Sequence, residues 1–154
     1  MSARVNVMWR FGGKRPAEAW EKEIVWPIGD IEAADLIRTI CRSAIDSAER
    51  VGSHADGADG KRRDKRAEER HWTRYQAAAR RAMEIAMKIS DDLMRDAAVG
   101  EIVDLCLKAD DMKTAKILFR AIQASSIREI VLTDHPALQQ QADCSPDLSA
   151  PSRT

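Results

Sequence analysis

A mainly α fold is the expectation for this sequence: a four- to five-helix bundle with a short N-terminal extended segment and a disordered C-terminal tail. Three observations predict it. From Asp30 to Leu132 apolar residues recur at three- and four-residue steps, the spacing that lines one face of a helix. Two-residue alternation is confined to residues 5–11, and the stretch after Pro136, ALQQQADCSPDLSAPSRT, is rich in Gln, Ser and Pro with little to bury. At 154 residues, 44% hydrophobic and 32% charged, the chain fits one soluble globular domain. A chain of that size buries roughly 70% of its unfolded surface, enough for a core of its own.

Val5, Val7, Trp9 and Phe11 alternate with Asn6, Met8 and Arg10, which places the apolar set on one face of a strand. A lone strand leaves its edges unpaired, so these four residues form the first candidate association surface. Gly12 and Gly13 break the pattern. Pro16 suits a helix start and Glu18 and Lys22 are spaced for an i,i+4 pair, which predicts a short helix over 16–25, with a strand over Glu23 to Trp26 as the alternative. Three of the four Trp lie in the first 26 residues, so Trp9, Trp20 and Trp26 are expected to cover one end of the bundle or a second subunit.

Asp30 is placed to cap a helix carrying Ile37, Ile40, Cys41, Ala44, Ile45, Ala48 and Val51, which ends at Gly52. The glycine-rich stretch Gly52 to Gly60 is a loop. A long amphipathic helix then runs from about Arg63 to Ala98, with Trp72, Tyr75, Ala79, Met83, Ala86, Ile89, Leu93 and Ala97 as its core stripe. Ser90-Asp91-Asp92 could cap a new helix and divide it. Val99 to Leu132 reads as a helical hairpin turning at Asp110 and Asp111, with Ser125 or Ser126 capping a last turn before Pro136. The domain reading is 1–29 for the extended segment and short helix, 30–135 for the helical domain, and 136–154 for the tail.

Net charge is zero, yet Lys61 to Arg81 holds nine basic and three acidic residues. Within this belt Arg62, Arg63, Lys65, Arg66, Arg70 and Arg74 form the second candidate surface, for an acidic partner or nucleic acid. Trp72 and Tyr75 are interleaved with them. Because both fall on the core stripe they are expected to point inward, leaving the arginines as a solvated face. Cys41, Cys106 and Cys144 are far apart and form no Cys-x-x-Cys pair, which indicates plain thiols. No apolar run approaches the roughly 20 residues of a membrane span, and MSARVNVMWRF lacks the apolar segment of a signal peptide, so the expected location is cytoplasmic.

Short motifs carry little chemistry. Glu68 and His71 have the i,i+3 spacing of di-iron bundles, but a second copy is missing. Gly12-Gly13-Lys14 lacks the first glycine and the Ser or Thr of a phosphate-binding loop, and Asp56 to Gly60 offers too few oxygens for calcium. Over Val99 to Ile127 the hairpin resembles a single tetratricopeptide or pentatricopeptide unit through Ile102, Ala115 and Phe119. It departs from the pattern at Val103 and at Asp110, where the inter-helix glycine would stand.

No catalytic, cofactor or metal residues are assigned. The leading expectation is a non-enzymatic helical interaction or adaptor protein that associates with itself or another protein, without membrane. The alternatives are a nucleic-acid-associated regulator using the belt at 61–81, and a helical metalloenzyme.

Overall fold

A computed structural model of the chain describes residues 16–55 and 64–139, and all regular structure among them is helical. Five helices follow one another up, down, up, down, up: α1 Asp30–Ala55, α2 Lys65–Ala86, α3 Asp92–Lys108, α4 Met112–Ala121 and α5 Ser125–Asp134. Single 3-10 turns occupy Ala19–Glu21 and Pro136–Leu138. The predicted strand at residues 5–11 and the stretch from 140 onward lie outside the described residues.

The first two helices are amphipathic, so each buries one stripe. In α1 the stripe is Ala33, Ile37, Ile40, Cys41, Ala44 and Ala48, with Ser47 fully buried beside them. In α2 it is Tyr75, Ala78, Ala82, Ile85 and Ala86. Most of the facing side chains are small, which lets two long helices pack closely without voids. The third helix differs. Ala98, Val99, Ile102, Val103, Leu105 and Cys106 are all buried, and they point in several directions around the axis. A helix that is apolar on more than one side belongs in the middle, and α3 packs against α1, α2, α4 and α5.

The run expected as one helix from 63 to 98 is broken. α2 ends at Ala86, and Asp91 caps α3 by accepting from the Met94 amide at 2.8 Å. The turn between them is tied to the start of α1, because the Asp30 carboxylate accepts from the Ser90 and Asp91 amides at 3.0 and 2.9 Å. Asp30 therefore caps a neighbouring turn as well as opening its own helix. These two amides hold its carboxyl below the ordinary value of 3.8.

Gly52 does not end α1, which continues to Ala55. Its role is contact: a β-carbon there would run into the carbonyl oxygen of Lys108, so glycine lets the end of α1 lie against the end of α3. The turn after α3 is a Schellman motif, with the Asp111 amide donating to the Cys106 carbonyl at 2.9 Å and the Asp110 amide to Leu107 at 3.0 Å. Asp110 takes φ 56°, the left-handed conformation for which this turn favours glycine. Asp111 caps α4 by accepting from the Thr114 amide at 3.2 Å.

The serines at 125 and 126 do not cap α5. Ala124 stands at the cap position without a side-chain bond, and Ser125 is already helical. The function passes to Asp96, a buried carboxylate on α3 whose one oxygen accepts from the Gln123 and Ala124 amides at 2.9 and 2.7 Å. Packing also continues past Pro136, since Leu138 is buried. At the other terminus the helix expected over 16–25 shrinks to one 3-10 turn, and residues 22–28 are neither helix nor strand. Trp20 is buried near Arg74 while Trp26 lies under Lys88, so the two indoles flank α2 at different levels and do not cover one end.

Two substitutions test this account. Asp96→Ala leaves the Gln123 and Ala124 amides without their part-buried acceptor and should cost about 1 to 3 kcal/mol in denaturant unfolding, whereas Asp96→Asn keeps an acceptor and should cost about 1 kcal/mol or less. Equal losses for the two would contradict the capping role. Gly52→Ala should force α1 from α3 and lower stability by about 2 kcal/mol, despite alanine's higher helix propensity.

Candidate interaction surfaces

Arg66, Arg70 and Arg74 follow one another at four-residue steps, so α2 displays them on one face. With Glu18, Trp20 and His71 they line a cleft of about 650 Å³ between α2 and the segment that precedes α1. Arg74 is held in place: Glu18 pairs with it at 2.9 Å and its guanidinium stands 5.7 Å over the Trp20 ring. Arg70 lies 3.9 Å from Asp64, and Arg81 lies 3.1 Å from Glu84. Glu18, Glu21 and Glu69 line the same cleft, three carboxylates against its three guanidinium groups. The belt is thus largely balanced by the chain's own acids at this point. Lys65 is exposed at the start of α2. Arg62 and Arg63, like Val5, Val7, Trp9 and Phe11, lie outside the described residues.

The two belt aromatics part company. Tyr75 is fully buried, and its hydroxyl donates to Asp111 at 2.8 Å. Burial, aided by Cys106 and Asp111, pushes its phenol well above the ordinary range. Trp72 is 39% exposed and its ring is tilted against Tyr75, the centroids 5.5 Å apart at 54°. The inward orientation expected for both holds for Tyr75 alone. The buried stripe continues through Ala78 and Ala82 where Ala79 and Met83 were expected, and the run Ala77-Ala78-Ala79 explains the misphasing, since three consecutive alanines mark no face. Between Trp72, Glu68, Glu69 and Val51 of α1 lies a smaller groove of about 270 Å³.

At the opposite end of α2 the fold exposes apolar residues that, Leu93 apart, their spacing places in no stripe. Val25, Ile31, Met87 and Leu93 are 83, 73, 69 and 54% exposed. Each lies within two residues of a tethered group: Trp26 under the Lys88 ammonium at 4.2 Å, or Asp30 bonded to Asp91. The break at Ser90 is the one signal that could have found them, because it takes Leu93 off the long core stripe.

The remaining chemistry is sparse. Among the described residues no group of three or more His, Cys, Asp or Glu is placed to hold a metal. His71 Nδ1 sits 3.3 Å from the buried Ser47 hydroxyl, and His135 Nε2 sits 2.9 Å from Asp104. The phosphate and calcium candidates at 12–14 and 56–60 fall outside the described residues. No described helix is long and apolar enough to cross a membrane. Comparisons with family models, curated proteins and solved structures find no match.

Burial raises the Cys41 thiol from 9.0 to about 12, with Glu101 adding to it, and raises Cys106 to about 11 against an opposing hydrogen bond from Tyr75. Groups that ionise more readily in the unfolded chain stabilise the fold below their unfolded pKa and lose that contribution as pH rises. Thermal melting should therefore decline from about pH 9 upward, and Tyr75→Phe should shallow the decline above about pH 10. In the native protein at pH 8, iodoacetamide should leave Cys41 and Cys106 unmodified and should label both in denaturant. Rapid native labelling of either would contradict the buried assignment.

Proposed function

We propose that this chain is a non-enzymatic helical interaction protein that self-associates, through the end of the bundle carrying Val25, Ile31, Met87 and Leu93. One observation supports this reading: four large apolar side chains, each more than half exposed, stand beside the Asp30 and Lys88 contacts at the same end of the bundle. Single exposed apolar residues are ordinary, but a group of them gathered by tertiary contacts has the character of an association surface. The nucleic-acid alternative is disfavoured by the cleft beside the belt, where Glu18 neutralises Arg74 and two further glutamates face the other arginines.

The test is sedimentation of the full chain over a concentration series. Wild type should sediment as a dimer or larger, and the double variant Ile31→Asp, Met87→Lys, with a cation at the α2 C-cap, as a monomer with an unchanged melting temperature. Asp at 31 suits the first turn of a helix, so the variant removes apolar surface without removing a fold contact. A wild type that stays monomeric throughout would overturn the proposal.

A further inference from the structure

We infer that residues 1–15 of a second copy cover this apolar end, so that self-association is an exchange of N-terminal segments. The inference rests on the self-association just proposed and names what docks there. A cleft of about 500 Å³ opens at the start of α1, lined by Gly29, Ile31, Glu32, Asp35, Leu36 and Thr39. Ile31 and Leu36 give it aliphatic walls, and its charged lining is acidic. Val25, Met87 and Leu93 stand exposed beside the Asp30 and Lys88 contacts at the same end of the bundle.

Charge selects the occupant. Even with Arg38, which pairs with Asp35 at 3.1 Å, the end over residues 22–38 and 87–95 holds four basic and six acidic residues, a balance of −2. Two such ends meeting face to face would repel. The described start of α2, residues 64–74, holds four basic and three acidic residues, and Glu18 takes up the difference at Arg74. It has no net charge to offer. Of the chain outside the described residues, 56–63 carries a balance of +1 and 140–154 one of −1, and neither contains more than one large aliphatic or aromatic residue. Residues 1–15 carry Arg4, Arg10, Lys14 and Arg15 with no acid, a balance of +4, and bring Val5, Val7, Trp9 and Phe11 at two-residue steps. This segment alone matches the end in both charge and apolar content.

Reach and direction place the exchange between copies. Glu18 is held at Arg74 and Trp26 lies under Lys88, so residues 18–26 run along α2 for about 21 Å towards the apolar end. The described chain thus begins beside the middle of α2 and heads for that end, and a segment preceding it would have to double back along the same track to reach the end of its own copy. Fifteen extended residues span up to about 50 Å, enough to reach a neighbouring copy. When each copy gives a segment and receives one, the two contacts are related by a two-fold axis and close a dimer. The ionic part of the contact is screened, so dimerisation should weaken as ionic strength rises.

Mixing variants of the full chain separates the possibilities. A segment variant, Val7→Asp with Trp9→Asp, loses the docking side chains, and an end variant, Ile31→Asp with Met87→Lys, loses the surface that receives them. Circular dichroism checks that each keeps native helicity. Each should sediment as a monomer alone, and the two mixed should form a 1:1 heterodimer, joined by the one segment and the one end left intact. Holding a single contact where wild type has two, it should need roughly a hundredfold higher concentration. Arg4→Glu with Arg10→Glu should weaken self-association about tenfold at low salt and less at high salt, and unchanged affinity would overturn the charge match that selects the occupant. A segment variant that dimerises like wild type overturns this inference while self-association stands. Mixed, folded variants that stay monomeric at the higher concentration overturn it as well. A monomeric wild type removes both.

Discussion

A helix packed against four others must be nearly free of uncompensated charge, and α3 meets that condition through one side chain, Asp96. Buried without partners, its carboxylate would be among the most costly groups in the protein. It is instead placed where α4 gives way to α5, and it accepts the two amides that this turn leaves without acceptors. The charge and the open turn satisfy each other. α5 can then lie along α3, where Gly100 faces Val131 and Ile127.

The same device recurs at the other connections. Asp30 receives the amides between α2 and α3, while Asp111 caps α4 and takes the Tyr75 hydroxyl. In each case a carboxylate on one element satisfies a loop or a phenol on another, so the turns are fixed by tertiary contacts as much as by their own residues. This has a consequence for the molecular surface. Holding the α2–α3 turn against the start of α1 puts exposed apolar residues that are distant in sequence at one end of the bundle, and it leaves the basic start of α2 at the far end.

Much of the architecture is legible in the spacing of apolar residues. The all-helical class, the α1 stripe from Ile37 to Ala48 and the hairpin turn at Asp110 and Asp111 follow from local periodicity and capping chemistry. The errors share a cause. Immediate neighbours make Ser125 a cap, Gly52 a helix end and Trp72 an inward ring, yet Asp96 and Lys108, distant in the chain, and the turn of α2 that buries Ala78 and Ala82 decide otherwise. Of the candidate surface, Arg66, Arg70 and Arg74 do share a face, because four-residue spacing is a property of the helix itself. That Glu18 neutralises Arg74 could not be read from spacing, since it depends on how residues 16–29 cross α2.

The sequence by itself determined that this chain is helical, where most of its helices begin and end, and that basic charge gathers on one of them, because these follow from interactions within a few residues. The tertiary structure decided which side of α2 faces the core, which carboxylates cap which turns, and that Val25, Ile31, Met87 and Leu93 stand at one end. The physical reason is that an alanine-rich helix has several nearly equal ways to turn its face inward. The choice falls to long-range contacts, above all the fit of Tyr75 to Asp111 and of Asp30 to the turn before α3.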